Sequence, residues 1–340
     1  MVAFTSKDVA RKAGVSQSTV SYVMTGKRPI SETTRLRVQA AIDELTYQPN
    51  QGARALKSQR TRVIGLIVPF GHGVDTAGVL PFIETITSSA RAQDHEVLLN
   101  TSDEGSDGLR RLAGRQLCDA IVLMDILGHG DDRIPVAADL GLPVVLVGVP
   151  ADPMGLSCVD LDFAAAAELA VDELAETGHD RLVVLGYPAE IIDRDVNYVR
   201  RFLDAATAAA ARHGMPCEVI GSLEPHRAAA DHAAALIEPG LVEIGRVGVI
   251  VPQSQIVQPF LHALSARGLR PGHDLSVIGL CTDVAAEQME PPVTNVSLEP
   301  RDVSRRAMQS LFWLLEPTPA GPPPAIDLIP PRLTRRTSVM

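Results

Sequence analysis

The 340 residues are 46% hydrophobic and 21% charged, a packed-globule composition long enough for two or three domains and far from that of a disordered chain. Apolar runs fall short of the roughly 18 to 20 residues that cross a bilayer, and the N-terminal stretch carries no apolar leader core, so no membrane span is expected and the cytoplasm is the expected compartment. A formal net charge of −10 argues against a nucleic-acid partner for the chain as a whole, and four scattered cysteines (Cys118, Cys158, Cys217, Cys281) without a CxxC pair exclude a disulfide framework and a structural zinc.

That charge is unevenly spread. Through Arg62 there are 11 Lys and Arg against 4 acidic residues, whereas the remainder holds 20 basic and 37 acidic residues. A basic head on an acidic body is the distribution expected where only the head meets phosphate, with a basic solvated tail as the competing reading.

The head carries three helix signals. Thr5 followed by Asp8 reads as a capping box, Val9, Ala10 and Ala13 supply an apolar face, and Gly14 ends the helix. Ser16 caps a second helix over 17–25, in which Val20, Val23 and Met24 face inward and Gln17, Ser18, Ser21 and Tyr22 stay outside. Ser31 caps a third, with Val38, Ala41, Ile42 and Leu45 at helical spacing. Two short helices meeting at a Gly turn, backed by a third, read as a helix-turn-helix.

On these residues the chain resembles the LacI/GalR family of bacterial transcriptional regulators. The resemblance runs through Lys7-Asp8-Val9-Ala10, Ala13-Gly14-Val15-Ser16, Ser18-Thr19-Val20-Ser21, Gly26 and Ser31-Glu32-Thr33-Thr34-Arg35. It continues with Ala40-Ala41-Ile42, Leu45-Thr46-Tyr47-Gln48-Pro49-Asn50 and Ala53-Arg54-Ala55-Leu56. Beyond the head it takes in Ile64-Gly65-Leu66-Ile67-Val68-Pro69, Gly178-His179-Asp180-Arg181, Leu275-Ser276-Val277-Ile278-Gly279 and the closing Leu333-Thr334-Arg335-Arg336-Thr337-Ser338.

The resemblance implies that Gln17 and Ser18 read bases. A helix of about nine residues fits the major groove, and Gln suits adenine while Ser discriminates less. Tyr22 stands where many relatives have Arg, so a guanine fork is missing there. The hydroxyls of Thr5, Ser16, Thr19, Ser21, Ser31 and Thr34, at or near helix starts, can bond phosphates, and each also reads as a plain cap or surface residue. The resemblance further implies a hinge that turns helical on DNA and pairs with its twin across a dimer axis. Asn50, Ala53, Arg54, Leu56 and Lys57 belong to it, with Leu56 as a minor-groove wedge and Gly52 weakening the helix in the unbound state. A polar linker with an incidental Leu56 is the alternative.

From about Arg62 short apolar strands alternate with helices. Strands are expected over 63–69, 96–100, 120–124, 143–148, 158–161, 181–186, 217–221, 246–252 and 275–279, and helices over 81–94, 163–177, 197–213 and 258–267. The expected fold is α/β: a helix-turn-helix head at 1–49, a hinge helix and linker at 50–61, and from 62 to 340 two doubly wound parallel-sheet lobes of periplasmic-binding-protein type. The first lobe is expected over about 62–160 and 291–325, the second over about 161–290 and 326–340. Residues 69–82 read as a long Gly-containing loop at the carboxyl edge of the first sheet, and 316–331 as a stiff Pro-rich surface connection.

No nucleophile elbow, zinc-protease, Walker or dinucleotide motif is present, so no enzyme and no cofactor is expected. His72 and His129 stand in Gly-containing loops without a second ligand at metal spacing, so no metal is expected. The expected function is a DNA-binding regulator, read as a repressor: a homodimer on a pseudo-palindromic operator, with a small effector of unknown identity in its cleft. The alternatives are a regulator with a degenerate cleft and a cytosolic solute-binding protein. Relatives anchor ligands with an Arg before a Gly-Phe pair and with two Asp residues; here Tyr198, Cys281 and Ser254 fall at those positions. The expected cleft set is therefore Asp125, Asp162, Phe163, Tyr198, Ser254 and Cys281, suited to a ring-bearing or partly apolar metabolite better than to a free sugar.

Overall fold

The computed structural model describes residues 4–25, 28–47, 60–70, 76–222, 230–231, 234–235, 245–316, 318 and 321–340. The chain divides into two compact units, Met1–Arg62 and Val63–Met340.

In the first unit, Thr5 starts α1 (Ser6–Ala13) by donating its backbone N–H and its hydroxyl to the Asp8 carboxylate, at 2.9 and 2.7 Å. Gly14, at φ +64°, closes the helix in the left-handed region, and Val15 N–H returns to the Ala10 carbonyl at 3.0 Å. The Ser16 hydroxyl accepts from Thr19 N–H to start α2 (Gln17–Thr25), and Ser31 accepts from Thr34 N–H to start α3 (Glu32–Glu44). Val9, Ala10, Ala13, Val20, Val38 and Ala41 form the buried centre, with Val23, Met24, Ile42 and Leu45 packed partly against it. A Lys12–Glu44 ion pair ties α1 to α3.

The second unit opens with β1 (Val63–Val68), α4 (Thr76–Ala92), β2 (Glu96–Thr101), α5 (Gly105–Gly114), β3 (Ala120–Leu123), α6 (Arg133–Asp139), β4 (Val144–Val147) and β5 (Ser157–Leu161). Then come α7 (Phe163–Glu176), β6 (Arg181–Pro188), α8 (Ala189–Asp193), α9 (Asn197–Arg212), β7 (Cys217–Ser222), β8 (Val247–Val251) and α10 (Ser254–Ala266). The series ends with β9 (Ser276–Leu280), α11 (Asp283–Gln288), β10 (Thr294–Val296), α12 (Pro300–Leu315), β11 (Ile326–Ile329) and β12 (Leu333–Thr334).

Among the described residues these strands make two six-stranded sheets, ordered β11-β5-β4-β3-β1-β2 and β12-β10-β9-β8-β6-β7. The first is parallel throughout, and the second is parallel except for β12. Because helices cover both faces, β3, β4, β8 and β9 are buried along their whole length, which is why they read as unbroken apolar runs.

Three expectations are corrected. Strand β10 joins the second sheet and β11 the first, the reverse of the division expected beyond residue 291. Side chains account for this. Buried Asn295 donates to the Cys281 carbonyl at 2.8 Å within the second lobe, and Asp327 pairs at 2.8 Å with Arg306 of α12, which packs on the first sheet. Second, the Pro-rich 316–331 stretch contains β11 rather than being surface connection alone, with Asp327 and Ile329 turned inward. Third, the supposed loop at 69–82 is helical from Thr76, with Pro81 inside the helix.

Candidate nucleic-acid interface and ligand cleft

On the head, Gln17 and Ser18 are exposed at the start of α2, while Ser21 and Tyr22 are half-buried beside them. The hydroxyls form one cluster: Ser16 Oγ shares hydrogen bonds with Ser18 Oγ at 2.7 Å and Thr19 Oγ1 at 2.8 Å. Gln17 Nε2 donates to Ser6 Oγ at 2.7 Å, so the side chain implied in base reading is held against α1. The Arg28 guanidinium lies 5.9 Å from the Tyr22 ring centre, and Ser31 donates its hydroxyl to Thr34 Oγ1 at 2.9 Å. Hydrogen bonds from Thr5 hold the Asp8 carboxyl below its usual range. The hydroxyls of Thr5, Ser16, Thr19, Ser31 and Thr34 thus take part in the hydrogen bonds at the helix starts, and each retains acceptor capacity on an exposed or half-buried residue. Asn50, Ala53, Arg54, Leu56 and Lys57 lie outside the described residues.

In the second unit a cavity of about 250 Å³ opens at the carboxyl ends of strands from both sheets. This is where doubly wound folds bind ligands, because the loops leaving each strand converge there. Of the expected set, Asp125, Phe163, Tyr198 and Ser254 line it. Two do not. Asp162 caps α7, accepting from Ala165 N–H at 3.1 Å, and Cys281 is fully buried, its thiol pushed up to about 12 by that burial.

One wall is aromatic. Phe163 and Tyr198 stack with ring centres 4.9 Å apart and planes 27° apart, and Tyr187 meets Tyr198 edge-on at 6.0 Å. Facing it, Asp125 follows β3 in the left-handed region at φ +60° and accepts from Arg194 Nη2 at 2.7 Å and Ser102 Oγ at 3.1 Å. Asp160, at the end of β5, accepts from Arg201 Nη1 at 2.7 Å. Burial nevertheless pushes its carboxyl up to about 6, against the downward pull of Arg201.

Asn197, the first residue of α9, ties the two lobes together. Its Nδ2 donates to the Ile126 carbonyl at 2.8 Å, and its Oδ1 accepts from Val149 N–H and Arg201 Nη1, both at 3.2 Å. The sequence reading missed Asp160, Tyr187, Arg194 and Asn197. Asp160 was within reach, since it ends a predicted strand at the ligand-binding edge of the sheet. Arg194 precedes a helix that the sequence marks, but nothing local aims it across the cleft.

His129 Nδ1 lies 2.8 Å from Asp195 Oδ2, and His72 is outside the described residues. Among the described residues no three His, Cys, Asp or Glu side chains converge as a metal site, and no helix is long and apolar enough to cross a membrane.

Residues 5–50 match the family model described as bacterial regulatory proteins, lacI family, and residues 171–339 match a periplasmic binding protein-like domain. The PurR transcriptional repressor of Vibrio atlanticus is 30% identical over 319 residues, covering 91% of each chain. Among solved structures, a Lac repressor dimer bound to operator and the anti-inducer ONPF matches with a TM-score of 0.81 at 22% identity, over 100% of both chains. A complex of the regulator CelR with cellobiose matches with a TM-score of 0.65 at 25% identity, over 98% of this chain and 99% of that one. With its helix-turn-helix head and its two-sheet body both matched, the chain belongs to the lacI family of bacterial regulatory proteins and is a DNA-binding transcriptional regulator.

Proposed function

We propose that the chain is a cytoplasmic repressor and not an enzyme, that it binds a pseudo-palindromic operator as a homodimer, and that a small ring-bearing ligand between its lobes sets its operator affinity. The observation that carries this reading is the aromatic wall of Phe163, Tyr198 and Tyr187, placed at the converging strand ends of a body attached to a helix-turn-helix head. Stacked rings favour a flat or apolar molecular face, whereas relatives such as CelR are known in complex with a sugar. The Lac repressor, with the same fold, is a dimer on its operator, and a two-fold protein on DNA calls for two-fold related half-sites.

The test has two arms. Selection from random DNA is expected to return a two-fold symmetric site, and an asymmetric consensus would refute the dimeric reading. A thermal-shift screen of metabolites, followed by operator binding with each hit, is expected to yield a ring-bearing ligand whose effect is lost in Tyr198→Ala. Micromolar binding of simple pentoses, hexoses or disaccharides that depends on Tyr198 or Ser254 would instead show a sugar cleft.

A further inference from the structure

The cleft already contains a cation, supplied by the protein itself. Arg194 reaches from the segment before α9 to the Asp125 carboxylate of the opposite lobe, 2.7 Å away, and both residues line the cavity. The two partners are unequally fixed. The Asp125 side chain is 12% exposed, is also held by Ser102, and sits on a backbone whose carbonyl accepts from the buried Arg133 guanidinium. Arg133 is itself locked by two hydrogen bonds to the Asp131 carboxylate, at 2.8 and 2.7 Å. The Arg194 side chain is 42% exposed. A molecule that seats on Asp125 therefore has to displace Arg194, the more exposed partner, and leaves Asp125 in place.

What the entering molecule then meets is decided by charge. Asp160, the other acidic residue of the cavity wall, is bonded by Arg201, whose guanidinium lies 5.8 Å from the Phe163 ring centre and outside the cavity lining. With Arg194 displaced, the wall presents the Asp125 carboxylate beside the π-faces of Phe163 and Tyr198. A carboxylate or phosphate ligand would be repelled there, and a neutral one would leave a largely buried anion without its counter-ion. A protonated amine or guanidine meets neither penalty, since it replaces Arg194 on Asp125 and gains the attraction of the ring faces.

We infer that the Arg194 guanidinium occupies the cation subsite of the cleft, and that the ligand is a ring-bearing molecule with a protonated amine or guanidine group that takes its place on Asp125. The inference rests on the reading of the cleft as the effector site and narrows the ligand to a chemical class.

Calorimetric titration of the full chain with three probes sharing one ring tests it: 2-phenylethylamine, 2-phenylethanol and phenylacetate. The amine is expected to bind about tenfold or more tighter than the alcohol and the carboxylate, a preference the size of one charge-assisted hydrogen bond. Asp125→Asn should abolish that preference. Arg194→Gln, a half-exposed change that leaves the core untouched, should tighten the amine by several-fold, because the internal competitor is gone. Tightest binding by phenylacetate, weaker amine binding in Arg194→Gln, or no amine binding by either protein at millimolar concentration overturns the inference. Binding of the alcohol or the carboxylate as tight as that of the amine, and lost in Tyr198→Ala, would refute the cation subsite while keeping the cleft as the effector site. An operator affinity that no metabolite changes would refute the effector reading itself.

Discussion

At the scale of single residues, Asp160 shows which of two opposing effects wins. Arg201 stabilises its charged form, but burial disfavours that form more strongly and pushes the carboxyl up to about 6. Between about 4 and 6 the folded chain therefore holds a proton that the unfolded chain has released. The contribution of this group to stability is complete below the unfolded value and is lost as pH rises through 6, a change of about 3 kcal/mol at roughly 1.4 kcal/mol per unit. Asp160→Asn keeps an acceptor for Arg201 and removes the titration. The melting temperature of the variant relative to the wild type should therefore rise from pH 4.5 to pH 7.5; parallel curves would refute the assignment. A second residue-scale expectation concerns the hinge. Leu56→Ala should weaken operator binding and leave binding to random DNA nearly unchanged, because only a kinked duplex accepts an intercalated apolar side chain. Anisotropy titrations on both DNAs check this, and equal losses would remove the wedge role. Legibility at this scale follows locality. The caps Thr5, Ser16 and Ser31 were readable because each acts within three residues of itself, whereas Asp125–Arg194 and Asp160–Arg201 join residues 69 and 41 positions apart.

Among the elements, those that follow one period along their length were visible in the sequence. Fully buried parallel strands such as β3, β4 and β8 read as apolar runs, and α9 shows a clear inward face of Val199, Phe202, Ala206, Ala209 and Ala210. Elements that break a local rule were not. The first turn of α4, residues 76–80, was hidden because Pro81 reads as a helix start, although the chain is already helical before it. Strand β10 spans three residues and β11 sits in Pro-rich sequence, so each is defined by its neighbours rather than by its own pattern. The end of β4 carries the element-scale prediction. Gly148 has φ +129°, and a Cβ there would lie 2.8 Å from Asn197 Nδ2 and 2.9 Å from Ile126 Cβ. Gly148→Ala is expected to cost about 1–3 kcal/mol, which for a unit of this size lowers the melting temperature by several degrees. It should also loosen the interlobe tie through Asn197. Calorimetry of the full chain checks the first effect, and an unchanged melting temperature would show that α9 gives way without cost.

For the whole molecule, the division of charge decides how it meets DNA. The first 62 residues carry a surplus of seven positive charges, and the remaining 278 carry a surplus of 17 negative ones. DNA attraction must therefore come from the head, because the body as a whole is repelled by phosphate. Lys and Arg of the head displace condensed counterions on binding, and the free energy of their release depends on the logarithm of the salt concentration. Two heads on a two-fold site should together neutralise on the order of six to ten phosphates, so affinity should fall by about 10³-fold or more between 50 and 200 mM salt. Binding to random DNA should carry most of the same salt dependence, because phosphate contacts do not read sequence. Titrations of operator and random duplexes across that salt range, at fixed pH, measure both slopes. A nearly flat slope on the operator would mean that base contacts and DNA deformation dominate and that the charge asymmetry serves solubility instead. Replacing Lys7, Arg11 and Arg37 with Gln, one at a time, locates the contribution. A residue that meets phosphate should reduce the slope by about one and weaken both DNAs alike, whereas one that leaves both slopes unchanged does not touch the backbone.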